Sequence, residues 1–523
     1  MPPSLALIAL LVGKLVDGSG HVTPNAVIVV DGERIVSVGT SAPPNAEVID
    51  LRRYTVVPGL IDAHTHMTYY WDRTPGTRPL GQPRRPAGVT VALAADNARR
   101  TLETGVTTVR DLNAANDTDY AMRDLINMGR MVGPRMFVAG QGLSAPRDRT
   151  TPNPDRFRQQ AEARIAAGSD WVKVFGSRGS FQSVETTQTV TFEEMKAAVD
   201  AAHATGHKVA IHSYGASGVK DAVRAGADSV EHGIDIDDET FAEMVRRGTV
   251  WVPTIDHNRY YAEAKDEYGF ADDAIPPLRE YIEKNLESAT RAVKAGVKIA
   301  MGSDAVYSMF GQNTRELAWL VKAGMTPAQA LASATTVPAA LLGHAADLGV
   351  IAPGAYADIV AVAGDPLADV DVLIHDVRWV MKGGAVVVDQ EAEVRRTVEA
   401  FLQHLGDHQF DQVAAGLTST ALIVVTRQRP ATGSAPAAWQ NTLQTRDEWL
   451  GALMRNPNPV TFREPIANVR VTIDSEHLAY LRADFQVVRD GQVVSHGVDQ
   501  FTLVRENDAW KIAAVAYTSI PGQ

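Results

Sequence analysis

A helical pattern that closes on glycine and passes at once into a β-rich run recurs six times in this chain. The runs are ETGVTTVRD, AAGSDWVKVF, ATGHKVAIH, RAGADSVEH, RRGTVWVPT and KAGVKIAMGSD, with glycines at Gly105, Gly168, Gly206, Gly226, Gly248 and Gly296. Glycine suits the left-handed residue that ends a helix, and short valine-rich runs suit strands buried on both faces. Helix–glycine–strand units in series specify parallel β/α architecture. The apolar run TVVPGLIDA that leads into His64 and a further strand at PRMFVAG bring the count to eight over residues 56–325. The expected fold class is therefore α/β, a (β/α)8 barrel with its site at the C-terminal ends of the strands. A doubly wound open sheet is the alternative; it would carry a Gly-rich phosphate loop after its first strand, and none is found.

Length and composition bound the rest. A chain of 523 residues suggests two or three domains. With 45% hydrophobic and 21% charged residues it reads as soluble and globular rather than disordered. A formal charge of -12 speaks against nucleic acid or an anionic membrane as partner. The chain has no cysteine, which excludes disulfide scaffolds, thiolate zinc sites and cysteine nucleophiles. The apolar start LALIALLV is too short to span a membrane and lacks a basic leader, so it reads as part of the fold. The expected location is cytoplasmic, or periplasmic or secreted if a signal peptide was removed upstream.

The strand ends carry the chemistry. In IDAHTHMTYY, strand alternation points His64 and His66 the same way. A lone H-x-H pair is more often chance than metal site, but the other strand ends change that weighting. WVKVF ends around Lys173, KVAIH in His212, SVEHG at His232 and IAMGSD in Asp304, each a similar distance past its glycine. Four histidines, a lysine and an aspartate converging on one barrel mouth are hard to explain by packing, and neutral imidazole is the commonest metal ligand. His203, His207, His344, His404 and His477 lie on helices, at strand starts or in the later domain, and read as ordinary surface or capping residues.

These residues resemble the metal-dependent amidohydrolase superfamily: HTH at 64–66, Lys173, His212, EHG at 231–233 and SDA at 303–305. Within it they are similar to the binuclear members that use a carboxylated lysine, and to the prolidase-like dipeptidases and carboxypeptidases, a subgroup that also holds mycotoxin amidases. NAVIVVDGERIVSVG before the barrel, and AGMTPAQALASATTVPAALLG, GVIAPGAYADIVAVAGDPLADV and VMKGGAVV after it, resemble the family's flanking β segments and final helices. Coverage runs from residue 4 to about 390.

The resemblance implies that His64 and His66 bind one metal with Asp304, that His212 and His232 bind a second, and that Lys173, as a carbamate formed with carbon dioxide, bridges both. Zinc is the expected ion, with manganese and cobalt as alternatives, since imidazole and carboxylate suit zinc at about 2.0–2.2 Å. Two metals about 3.5–4 Å apart can activate a bridging hydroxide and polarise a carbonyl. Asp304 would then move the proton to the leaving amine. The family places a carbonyl-polarising tyrosine where HSYG puts Tyr214, which shares the metal-facing side if the strand runs that far. His257, Tyr69 and Tyr70 are the further substrate-contact candidates, each tyrosine being as well explained by loop packing; Asp111 is better explained by local capping or pairing. The mononuclear deaminases carry an acid after the fifth-strand histidine, and HSYGASG has none. The implied activity is hydrolysis of an amide in a dipeptide or N-acyl amino acid. The alternatives are an ester, carbamate or phosphotriester hydrolase, and a non-catalytic binding protein on a decayed barrel.

Four segments are expected: 1–55 and 346–389 as the two parts of a small split β-sandwich, 56–345 as the barrel, and 390–523 as a separate α+β domain. The last reads as helix, strand, an Ala/Pro/Gly-rich loop (RPATGSAPAA), a helix at TRDEWLGALM and four closing β-like runs, expected to form a strongly curved antiparallel sheet. DQFTLVRENDAWKIAAVAYTS resembles the cone-shaped nuclear-transport-factor/ketosteroid-isomerase superfold, which fixes no function. An accessory role in dimerisation or in shaping a pocket is expected there, with the chain a homo-oligomer acting on a small molecule.

Overall fold

All six helix-closing glycines adopt positive φ, between 76° and 99°, so each helix is turned back into a strand by the one residue type that accepts that backbone without strain. The computed structural model describes residues 7–148, 151–179, 184–431, 436–456, 460–475 and 477–522. They divide into two units, Met1–Val388 and Asp389–Gln523.

In the first unit the strands Leu60–Thr65, Val106–Asp111 and Arg135–Val138 pair in parallel. Trp171–Phe175, Lys208–His212, Ser229–Glu231 and Val250–Val252 form a second parallel set. Leu143 bridges to Val174 and joins the two. The eighth strand of the expected barrel is present only as an irregular segment. Residues 297–305 make isolated parallel bridges only, Ile299 to Trp251 and Ala305 to Thr65. Hydrogen bonds from Ala300 N–H to Trp251 O (3.0 Å) and from Ala63 N–H to Met301 O (2.9 Å) nevertheless close the ring. Asp304 has φ 52°, a left-handed value that no ladder accommodates, and it interrupts the pairing between the bridges at Ile299 and Ala305.

Alternation sorts the side chains of these strands. Val172 and Val174 face the surrounding helices and pack with Ala198, Val209 and Ile211. Trp171 points inward, where it meets Ile61, Ala63, Ala210 and Val252. Above this apolar layer lies a polar one. Arg110 is fully buried, stacks on Trp171 at 4.5 Å, donates to Ala63 O at 2.6 Å and to Ser229 Oγ at 2.8 Å, and pairs with Glu231 at 2.9 Å. Each of the three guanidinium nitrogens thus has an oxygen partner, the condition under which a buried ion pair is tolerated.

The segments flanking the barrel meet in one eight-stranded sheet. Thr55–Pro58 pairs antiparallel with Ile359–Val362 and parallel with Ile8–Val16, so strands from before and after the barrel interleave. Leu10, Ile28, Val56, Ile359 and Trp379 form its core.

The second unit holds the helices Gln390–Gly406, Phe410–Gly416 and Arg446–Met454 and a six-stranded sheet around Phe401, Trp449, Phe501 and Ile512. The four closing runs are strands Ile466–Ser475, Leu478–Arg489, Gln492–Glu506 and Ala509–Pro521. Two features depart from the sequence reading. Leu417–Arg429 pairs parallel with Ala509–Pro521, so the sheet is mixed rather than antiparallel. Ala438–Thr445 is an additional edge strand, and nearly all of it is exposed, which left no apolar alternation to reveal it. Thr432 to Ala435 of the preceding loop lie outside the described residues. Among the described residues no helix is long and apolar enough to cross a membrane.

The buried pair yields a stability test. Arg110→Met removes the cation and leaves Glu231 without it inside the barrel, so the barrel should lose about 3–5 kcal/mol. Denaturant unfolding followed by tryptophan fluorescence reads this; an unchanged midpoint would mean that water or a rearranged side chain replaces the guanidinium.

Candidate metal centre

Two strand ends bring His64, His66 and Asp304 together, with one ligand-capable atom from each within 4.8 Å of the others. His66 Nε2 lies 3.1 Å from Asp304 Oδ1, and His64 Nε2 3.5 Å from the same oxygen. Asp62, His64 and His66 alternate onto one face of their strand, and all three are buried. Asp62 is fully engaged: it accepts from Ser303 N–H (2.9 Å), Ser303 Oγ (2.5 Å), Asn313 Nδ2 (3.0 Å) and His64 N–H (3.1 Å). These bonds lock the first strand to the segment that carries Asp304. Burial pushes Asp62 up to about 6 against those donors.

Lys173 Nζ sits 3.4 Å from His64 Nε2, and His212 and His232 stand on the other side, their rings 4.6 Å apart. Glu231, the carboxylate that could have neutralised Lys173, is instead held by Arg110 and by His64 Nδ1 at 2.8 Å. Burial pushes Lys173 down to about 8. His232 follows Glu231 directly, so a regular strand would send the two side chains to opposite faces. Its φ of 64° breaks the alternation and turns the imidazole into the mouth as well. Its Nδ1 is 2.6 Å from Thr254 Oγ1, another left-handed residue.

The chemistry of this donor set fits a divalent cation. Burial pushes His64 and His232 well below the usual imidazole range and His212 to about 3, so all three rings are neutral and offer lone pairs. His212 Nε2 is buried with no hydrogen-bond partner among the described residues, although an unpaired buried polar atom is costly. Burial works against ionisation of Asp304, yet His257 and His66 around its oxygens hold it well below the ordinary carboxylate range.

The remaining candidates divide. Tyr214 is buried beyond the strand end, its ring 4.9 Å from that of His232, with Asn258 hydrogen-bonded to its side chain. His257 Nε2 lies 3.2 Å from Asp304 Oδ2, so it faces the carboxylate as well as the cavity. Tyr69 stacks on His66 at 4.8 Å and its hydroxyl accepts from Asn113 Nδ2 at 2.6 Å. All three line a cavity of about 870 Å³ that reaches the histidines and opens past Arg147 and Arg178. Tyr70 does not line it, and Asp111 caps the Met67 N–H at 2.6 Å. Sequence reasoning missed Asp62, Arg110, Asn113 and Thr254. Period-two alternation could have found Asp62, two residues before His64, but nothing local marks the others.

The amidohydrolase family model matches residues 55–387, and a SnoaL-like domain model matches residues 386–516. Ochratoxinase of Aspergillus niger is 28% identical over 420 residues, covering 71% of this chain and 85% of that protein. A solved Xaa-Pro dipeptidase with methionine in its active site is 32% identical, with a TM-score of 0.65 over 73% of this chain and 99% of that one. A prolidase solved with N-methylphosphonate-L-proline is 27% identical, with a TM-score of 0.66 over 74% of this chain and 100% of that one.

Gly302, beside His64, has no room for a side chain. A Cβ on Gly302 would stand 2.3 Å from Val252 Cγ1 and 2.9 Å from His64 Cβ. Gly302→Ala should therefore cost about 1–3 kcal/mol through overpacking and displace His64. Thermal unfolding and metal content per chain measure the two effects, and wild-type values for both would show that the strands spread freely here.

Proposed function

The chain belongs to the amidohydrolase family and is a metal-dependent hydrolase, and we propose that it uses two metal ions to cleave the amide of a dipeptide or an N-acyl amino acid. The observation that carries this is the arrangement at the barrel mouth: His64, His66 and Asp304 in one group, with the unpartnered His212 Nε2 and Lys173 beside it. His64, His66 and Asp304 would hold the first ion, and His212 and His232 the second. Lys173, with its amine pushed toward neutrality by burial, is suited to capture carbon dioxide. An N–C bond would form with loss of a proton, and the resulting carbamate would give Lys173 anionic oxygen donors suited to holding the ions. When bound, divalent ions of this kind, zinc foremost, lower the pKa of water and polarise a carbonyl.

The chain's own groups supply the rest. Asp304 keeps one oxygen toward His66 and the other toward His257. From there it is placed to accept the proton of the attacking water and return it to the leaving nitrogen. Its contact with His257 fixes the carboxylate plane, so His257 orients the base in addition to touching substrate. The Tyr214 hydroxyl is the donor suited to the scissile carbonyl oxygen as charge develops there. Tyr69, stacked on His66, forms one wall, and Arg147 at the mouth suits the free carboxylate that dipeptides and N-acyl amino acids share. Similarity to proteins named Xaa-Pro dipeptidase and prolidase supports an amide between amino acids over other acyl groups.

Metal analysis combined with a panel of dipeptides, N-acyl amino acids, aryl esters and phosphotriesters tests this. The expected result is two ions per chain and turnover of at least one amide class. Two ions with turnover of esters or phosphotriesters alone would transfer the assignment to those centres. Asp304→Asn should stay folded and lose at least about a hundredfold in turnover, the range attributed to a general base; wild-type turnover would remove Asp304 from the mechanism.

A further inference from the structure

The unit Asp389–Gln523 contains a cavity of its own, of about 460 Å³, a size that holds a small organic molecule. Phe401, Trp449, Phe485, Phe501 and Val515 give it apolar walls. Two acids interrupt them. Asp499, on the strand Gln492–Glu506, is 2% exposed, and its Oδ2 has no hydrogen-bond partner. Glu464, half-buried, hydrogen-bonds to the Asp499 side chain. Tyr517 stands opposite Asp499 in the antiparallel register. Among the described residues no Lys, Arg or His is paired with either acid; Arg427, which also lines the cavity, is engaged by Tyr517.

A fold gains nothing by setting two contacting carboxyls in an aromatic wall. Each is costly to bury, and an apolar pair of the same size would pack better. The arrangement makes sense when a cation comes from outside. We propose that this cavity binds a small apolar molecule bearing one protonated amine, with the ammonium against Asp499 and Glu464 and the hydrocarbon among Phe401, Trp449 and Phe501. The aromatic faces add cation–π attraction to the hydrophobic contact. Burial pushes Glu464 up to about 7 and Asp499 up to about 8, the direction expected of acids that lack a counter-ion. An ammonium reverses that cost, whereas a neutral isostere supplies only a hydrogen bond. This inference is independent of the hydrolase reading, since every lining residue belongs to the second unit.

The test titrates the full-length protein with 2-phenylethylamine, 2-phenylethanol and 3-phenylpropionate, read by calorimetry. The amine should bind saturably at one site per chain, the alcohol at least about tenfold more weakly, and the acid not at all, since a charge-assisted bond is worth roughly that factor. Asp499→Asn should weaken the amine at least about tenfold while hydrolysis at the barrel is unchanged. Val515→Phe, which fills the cavity, should abolish binding of amine and alcohol, and serves alone if the asparagine variant does not fold. Equal affinity for amine and alcohol, amine binding untouched by either variant, preference for the acid, or no saturable binding of any probe would each overturn the proposal.

Discussion

Glu231 is the residue on which the metal-facing end of the barrel depends. It is fully buried, and it joins three strands: Arg110 from the second, His64 from the first, and its own neighbour Ser229, whose hydroxyl donates to it at 2.5 Å. Two opposite charges inside a barrel do not stabilise it by attraction alone, because the desolvation of both is comparable to what they gain. They specify it. The guanidinium fork has one arrangement that reaches Ala63 O, Ser229 Oγ and Glu231 together, and that arrangement fixes the register of the strands carrying them. The second Glu231 oxygen then takes the Nδ1–H of His64, which sets the tautomer and leaves the Nε2 lone pair toward Asp304 and Lys173. A carboxylate deep in the core thus decides which nitrogen faces the mouth.

At the rim the same end is achieved by breaking β geometry. His232, Thr254 and Asp304 are all left-handed, at φ 64°, 51° and 52°. Each such residue costs of order 1–3 kcal/mol and persists only where its surroundings fix it. Here they do. The Thr254 hydroxyl contacts His232 Nδ1, and Asp62 holds the Ser303 N–H next to Asp304. The eighth strand loses its regularity for this reason: a segment that must deliver Asp304 across the mouth cannot also keep a full ladder with both neighbours.

Much of this was legible in the sequence, and the parts that were not share a cause. The glycine-closed units announced the barrel because both signals, helix C-cap and buried strand, are local. His64, His66, Lys173, His212, His232 and Asp304 could be singled out because each lies on or just past a run that could itself be recognised as a strand. Arg110, Asn113 and Thr254 could not. Their roles arise from partners far away in the chain, 121 residues in the case of Arg110 and Glu231, and no window of sequence contains that distance. The left-handed turn at His232 was equally hidden, since histidine gives no backbone cue of the kind glycine gives. In the second unit the strand Ala438–Thr445 escaped notice because an edge strand facing water on both sides carries no hydrophobic period.

Unpaired buried polar atoms mark a cavity in each unit. Several occur in this protein, among them Thr107 Oγ1, Thr418 Oγ1 and Trp510 Nε1, and those line neither of the two cavities described above. His212 Nε2 and Asp499 Oδ2 differ in position: each belongs to a residue lining one of those cavities and is ringed by groups of matching chemistry. Neutral imidazoles and a carboxylate gather around the first, aromatic rings and a second acid around the second. A lone unsatisfied hydroxyl in a packed wall is a small defect of packing, with nothing nearby to recruit. A lone pair or a carboxylate oxygen that looks into a cavity, with like-functioned neighbours aimed at the same point, is unsatisfied only until something enters. The distinction rests on convergence rather than on burial, and for that reason it selects the barrel mouth and the second unit's acid pair from the longer set of unpaired atoms.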